Sequence, residues 1–218
     1  MKICAPRIIA ALVVAVTASP ALAGVVDIGG GWQAEWDASL DPFVDVVSNG
    51  VVGDAVFIQK AAEFTQGPVG GIYPSIPIVF RQIAPGAVSN IVIDDEIIVN
   101  STRSDWSGFD MTLLDGGDVA FDPAATAGSG GGGPIGFSIA PFTTAEFNDD
   151  LTRLSIGGGT LSDTGVWFPG NGADDGQLWI NVNPTGNTIF TLKETPVPAP
   201  GVVGLLVAGG LIRRRRRG

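Results

Sequence analysis

Trp106-Ser107-Gly108-Phe109-Asp110-Met111-Thr112-Leu113-Leu114 is the stretch that decides the fold. Phe109, Met111 and Leu113 alternate with Asp110 and Thr112. Side chains two positions apart share one face of an extended chain, so this pattern predicts a strand with one buried face. Asp115-Gly116-Gly117 then turns it into a second extended piece, Val119 to Phe121. Between its terminal segments the chain keeps the 3.6-residue period over no useful length. Thr144-Ala145-Glu146-Phe147, before Asn148-Asp149, has room for one helical turn at most.

Outward from this strand the same texture repeats. Phe43 to Val47 and Val51 to Ile58 flank Asn49-Gly50, a two-residue hairpin signal. Lys60 to Tyr73 contains Gly67-Pro68 and Gly70-Gly71 and reads as loop with short extended pieces. Ile76, Ile78 and Phe80 share a face, and Pro77 confines that segment to an edge or a strand end. Ile91 to Ile93 and Ile97 to Val99 are interrupted by Asp94-Asp95-Glu96, which reads either as one bulged strand or as two strands with an acidic turn. Gly128 to Gly133 is nearly all glycine and reads as a mobile loop. Leu151 to Ile156, Val166 to Phe168, Leu178 to Val182 and Thr188 to Glu194 bring the count to about ten strands, each too short to bury much alone. The predicted fold is all-β: an antiparallel β-sandwich, jelly-roll or Ig-like, flanked by an N-terminal signal helix and a short C-terminal apolar helix.

Both ends carry targeting patterns. Lys2 and Arg7 precede the apolar run Ile8 to Ala18, and Ala21-Leu22-Ala23 offers a small-x-small cleavage site. Residues 1–23 therefore read as a secretory signal peptide cut by signal peptidase before Gly24. Cys4 precedes the apolar run, the wrong place for a lipoprotein cysteine. At the other end stand Val197-Pro198-Ala199-Pro200-Gly201, then the apolar run Val202 to Ile212, then Arg213, Arg214, Arg215, Arg216 and Arg217. Prolines stiffen a spacer, and arginines resist crossing a bilayer. A stable span needs about 20 apolar residues, more than this run supplies, so it suits transient engagement of the inner membrane better than permanent anchoring.

The order of these parts in residues 197–218 resembles the PEP-CTERM sorting signal of exported Gram-negative proteins, with Ala199 where the family motif has glutamate. The resemblance implies recognition by an exosortase-type enzyme, removal of the tail, and delivery to the cell surface or extracellular polysaccharide matrix. Asn100-Ser101-Thr102 with Asp105-Trp106-Ser107-Gly108-Phe109, and the segments Gly165 to Phe168 and Gln177 to Lys193, resemble exported bacterial domains of the choice-of-anchor kind. That second resemblance implies an exported β-sandwich and carries no functional residue.

The body between the signals, residues 24–196, is about 173 residues long, enough for one domain with its own core. It holds all 22 acidic residues but only Lys60, Arg81, Arg103, Arg153 and Lys193 as cations, an excess of 17 negative charges. Such a surface repels nucleic acid and attracts divalent cations. The chain has no histidine, and its one cysteine lies in the signal peptide. Ser-His-Asp and Cys-His catalysis and the usual zinc ligand sets are thereby excluded, and no disulfide staples the body. Carboxylate acid/base chemistry at Asp94, Asp95 and Glu96 remains, against the plainer reading of a solvated acidic turn. The sequence predicts no enzyme.

Two binding candidates remain. Asn171, Asp174 and Asp175 put three oxygen side chains on the glycine-rich loop Asn171 to Gly176, the donor type calcium takes, although the spacing is not that of an EF-hand. Asp115 to Asp118 is a similar loop. Asn, Asp and Gly also serve ordinary turns. Of the five tryptophans, Trp179 is out of phase with Leu178 and Ile180 and so faces away from them, where an indole can stack on a sugar ring; Trp106 reads as core. The function expected is a non-catalytic surface or matrix protein, structural or adhesive within the exopolysaccharide layer. The alternative is a calcium-assisted carbohydrate-binding module.

Overall fold

The computed structural model describes residues 22–170, 175–185 and 188–200. The chain folds into two packed β-sheets. The strands of the first are β1 (Leu22–Gly29), β2 (Trp32–Asp37), β5 (Ile76–Gln82), β7 (Trp106–Leu114), β9 (Thr144–Phe147), β10 (Arg153–Gly157) and β13 (Ile189–Pro198). Their order across that sheet is β1-β2-β5-β13-β7-β10-β9. The second sheet contains β3 (Val44–Val52), β4 (Ala55–Phe64), β6 (Asn90–Asn100), β8 (Val119–Phe121), β11 (Val166–Trp167) and β12 (Leu178–Val182). It runs β3-β4-β6-β12-β8, with β11 also paired to β6. A short helix, α1 (Pro123–Gly128), is capped by Asp122, whose carboxylate accepts from the Ala125 N–H.

The alternation read in β7 is the alternation observed. Phe109, Met111 and Leu113 are buried between the sheets, while Asp110 and Thr112 lie on the half-buried outer face. Trp32, Trp106 and Trp167 are fully buried with them. Phe80 stacks on Phe190 at 5.1 Å, and the Phe109 and Trp167 rings meet edge-on at 5.3 Å. Each such aromatic contributes roughly 1.5–3 kcal/mol by leaving water, so this layer is the main stabilising element of a body without disulfides.

Several local expectations are corrected. The second sheet is mixed, because β4 and β6 pair parallel. Between them the chain visits the other sheet as β5 and returns in the same direction. The β3–β4 hairpin does not turn at Asn49-Gly50 but at Gly53-Asp54, where Val52 pairs with Ala55. Gly50, at φ 108°, instead makes a bulge, and its N–H donates to Ser48 Oγ. Asn-Gly favours positive φ, which serves a bulge as well as a turn. Lys60 to Phe64 is strand rather than loop, and Thr144 to Phe147 is β9 rather than a helical turn.

Within the Gly128 to Gly133 segment, Gly131 and Gly133 are closely packed, while Gly128, Gly130 and Gly132 face open space. A side chain on Gly131 would collide with the carbonyls of Gly136 and Asp175, and one on Gly133 with the carbonyl of Phe137. Glycine here permits backbone-to-backbone approach. The expected signal helix and C-terminal apolar helix lie outside the described residues. Among the described residues no helix is long and apolar enough to cross a membrane.

Candidate functional site

A bulge in β6 builds the most unusual feature of the molecule. Ile58 pairs with Ile93, but the next pair is Gln59 with Asp95, so Asp94 is the extra residue. Side chains alternate along a strand, and one inserted residue exchanges the two faces beyond it. Ile91 and Ile93 point into the core before the bulge; after it Glu96 and Ile98 point in, and Ile97 points out at 42% exposure. The next pair in register is Lys60 with Glu96. Glu194 reaches the same point from β13 in the opposite sheet. All three side chains have 0% exposure.

Lys60 Nζ donates to Glu96 Oε1 and lies 2.6 Å from Glu194 Oε1, outside hydrogen-bond angles to the latter. Glu96 Oε2 and Glu194 Oε2 have no hydrogen-bond partner among the described residues. Burial pushes the Glu96 carboxyl well above the usual carboxylate range, against the opposing pull of Lys60, and the neighbouring Glu194 reinforces the rise. Burial works against the charge on Lys60, but Glu194 and Glu96 outweigh it and hold its pKa above the ordinary value. The Asp94-Asp95-Glu96 run is therefore split. Asp94 accepts from Asn49 and Gln177 at the surface, Asp95 accepts from Gln59, and Glu96 alone enters the core.

The C-terminal motif begins inside the fold. β13 runs to Pro198, so Val197 and Pro198 are strand, paired with Gly108 and Trp106, rather than spacer beyond a body ending at residue 196. Ser107 Oγ donates to the Pro198 carbonyl at 2.9 Å, and the Ala199 N–H donates to the Asp105 carbonyl at 3.2 Å. Beyond Glu194, β13 has β7 as its strand partner but no longer β5. A strand flank without a ladder tolerates residues that lack an N–H, which suits Pro196 and Pro198. Gly201 and Arg213 to Arg217 lie outside the described residues.

The Asn100-Ser101-Thr102 and Asp105-Trp106 pieces form one corner. Asn100 Nδ2 donates to the carbonyls of Ser104, Leu161 and Ser162, and Thr102 Oγ1 donates to Asn100 Oδ1 at 2.7 Å. Trp106 Nε1 donates to Thr102 Oγ1 at 3.1 Å. These residues set the β6–β7 connection and its contact with the 161–165 segment.

Asn171 and Asp174 lie outside the described residues; Asp175 is described, and its carbonyl accepts from the Ser138 N–H at 2.7 Å. Among the described residues no three acidic side chains converge as a metal group. Asp115 and Asp118 line a polar recess of about 210 Å³ with Asn183, Thr185 and Thr188. Asp115 takes φ 64°, a turn conformation that aspartate tolerates. Trp179 does face away from Leu178 and Ile180, yet it is half-buried, edge-on to Phe57 at 6.0 Å, with its Nε1 out of water and without a hydrogen-bond partner among the described residues. A groove of about 200 Å³ on the outside of the second sheet is lined by Asp45, Val47, Gln59, Asp95, Ile97 and Phe168.

Lys60 and Glu194 escaped the sequence reading, and Glu96 entered it only as part of the Asp94-Asp95-Glu96 run. The one available signal was a lone lysine at an inward position of the alternating run Val56 to Phe64. The chain matches no family model, no curated protein and no solved structure to which it was compared.

Proposed function

We propose that the protein is an exported, non-catalytic component of the cell surface or extracellular matrix, structural or adhesive within the polysaccharide layer. In this reading signal peptidase removes residues 1–23, the tail engages the inner membrane transiently, and an exosortase-type enzyme processes it. The observation that carries the reading is the sequence order at the C-terminus. The Pro-x-Pro motif overlaps the end of the last strand, and the apolar run and five arginines follow it, so Pro200-Gly201 directly follows the last residue tied to the body. A processing enzyme would meet its target held against a folded domain.

The test compares the full chain with one ending at Pro200, which keeps every described body contact. Loss of surface delivery on truncation, with the surface form of the full chain lacking Lys2 and Arg213 to Arg217 by intact mass, supports the proposal. Surface protein that retains those residues, or equal delivery of both chains, sinks it.

The carbohydrate-binding alternative has one observation in its favour. The groove over β3, β4 and β6 sets Phe168, 47% exposed, beside Asp45, Asp95 and Gln59, an apolar face with polar edges of the kind sugars use. Binding of host polysaccharide that Phe168→Ala abolishes would favour it over the structural role. Calcium dependence of that binding would bring in the Asn171 to Asp175 loop.

A further inference from the structure

We propose that Lys60 and Glu96 are joined by an intramolecular amide that the folded protein forms on itself, with Glu194 as the proton-transferring group. Three observations converge on this reading. The amine and the carboxyl are register partners on the parallel β4–β6 pair and are in direct contact. A second carboxyl, Glu194, stands 2.6 Å from the same Nζ. The triad is sealed in apolar surroundings, with Ile58 and Ala62 flanking Lys60, Ile98 two residues after Glu96, and Leu192 and Pro196 flanking Glu194, all buried. Left ionic, this cluster keeps carboxyl oxygens buried without hydrogen-bond partners, a costly state that an amide relieves by removing the ammonium and one carboxyl together.

The geometry suits condensation: Nζ of Lys60 touches one carboxyl, Glu96, whose pKa burial raises, and stands 2.6 Å from a second, Glu194. Nζ gives a proton to Glu194, and the free amine attacks Cδ of Glu96. Glu194 returns its proton to the Glu96 hydroxyl, which leaves as water, and takes one of the two protons remaining on nitrogen. One C–N bond forms and one C–O bond breaks. The products are a neutral amide, one water and a protonated Glu194, with no oxidant, reductant or cofactor required. Fixed contact replaces a bimolecular encounter, an advantage that reaches effective molarities of about 10⁵–10⁸ M in well-oriented cases. The link would close a loop across two strands in a body that has no cysteine with which to do so. This inference does not depend on the sorting signal.

Mass spectrometry of the purified full chain tests it. The expected intact mass is lower by one water than the chain's own termini require. Tryptic digestion after denaturation should leave the bond after Lys60 uncut, and a single species should join the Lys60 peptide to Gln82–Arg103. In Glu194→Gln the expected result is full mass and normal cleavage at Lys60, with a circular dichroism spectrum matching the wild type. Folded wild-type protein with full mass and a free Lys60 overturns the proposal, as does a link that maps to Glu194. A link that persists in Glu194→Gln overturns the proton-transfer role. If Glu194→Gln does not fold, the wild-type peptide map alone decides whether the amide exists.

Discussion

Ala199 donates its backbone N–H to the carbonyl of Asp105 at 3.2 Å, which ties the centre of the Val197 to Gly201 motif to the start of β7. With the Val197–Gly108 pairing and the Ser107 bond to Pro198, the motif contributes to the sandwich and is not only an appendage. A body ending at Pro196 should therefore be less stable than one ending at Pro200. Loss of two or three hydrogen bonds at about 1 kcal/mol each predicts a deficit of ~1–3 kcal/mol. Urea unfolding of the two truncated chains measures it. Equal midpoints would show that the strand end adds nothing and that residues 197–200 act as spacer.

The ion pair between Glu35 and Arg81 gives the acid limb of stability a defined contributor. Arg81 Nε and Nη2 donate to the two oxygens of Glu35 at 2.7 and 3.2 Å, and Gln33 adds a third bond. The hydrogen bonds from Arg81 pull the Glu35 carboxyl below its ordinary value of 4.5, and burial opposes them only in part. A lowered carboxyl pKa stabilises the fold above the unfolded value, and that contribution disappears as pH falls through the lower folded value. The Arg81 side chain is 45% exposed, so solvent screening limits the pair to roughly 1 kcal/mol. Arg81→Gln should lose about that much near neutral pH, roughly 1 kcal/mol, and nothing once pH has fallen well below the lowered Glu35 value, where both proteins carry it protonated. Unfolding curves across that range check it, and a deficit independent of pH would assign the effect to packing of the arginine stem.

The two-sheet architecture was legible because it rests on a local signal, the period of two. β7 and β12 show it plainly, and their inward residues are those the alternation picks. Pairing was less legible. Asn49-Gly50 announces positive φ, but whether that becomes a turn or a bulge depends on where the partner strand starts, and Gly53-Asp54 takes the turn. Glu96 was hidden by the same physics: one extra residue at Asp94 exchanges inside for outside, so an isoleucine faces solvent and a glutamate enters the core. The triad also draws one residue from each of three strands, brought together only by a parallel pair and an opposing sheet. No spacing along the chain encodes that. The Asn100–Thr102–Trp106 corner was visible as a motif, and its hydrogen bonds give those residue types a structural reason.

Trp179 decides between packing and sugar contact. Val92 is the register partner of both Phe57 on β4 and Trp179 on β12, so the three form one row across the outer face of the second sheet. Val92 is 0% exposed, Phe57 and Trp179 are each half-buried, and the two rings meet edge-on at 6.0 Å over it. The Trp179 backbone is held too: its N–H donates to Thr126 Oγ1 and its carbonyl accepts from Asp122, at the start of α1. Truncating the indole uncovers Val92 and removes a cross-strand aromatic contact. Full burial of a tryptophan is worth ~3–5 kcal/mol on truncation, so a half-buried one should cost about 2 kcal/mol. Trp179→Phe keeps a ring over Val92 and deletes the Nε1 that has no hydrogen-bond partner among the described residues, so its cost should be under ~1 kcal/mol. Urea unfolding of both variants, beside a polysaccharide-binding assay, separates the roles. Packing predicts that stability falls in Trp179→Ala, is largely restored in Trp179→Phe, and that any binding by the folded protein is unchanged. Unaltered stability in Trp179→Ala with loss of binding would make this indole a sugar platform instead.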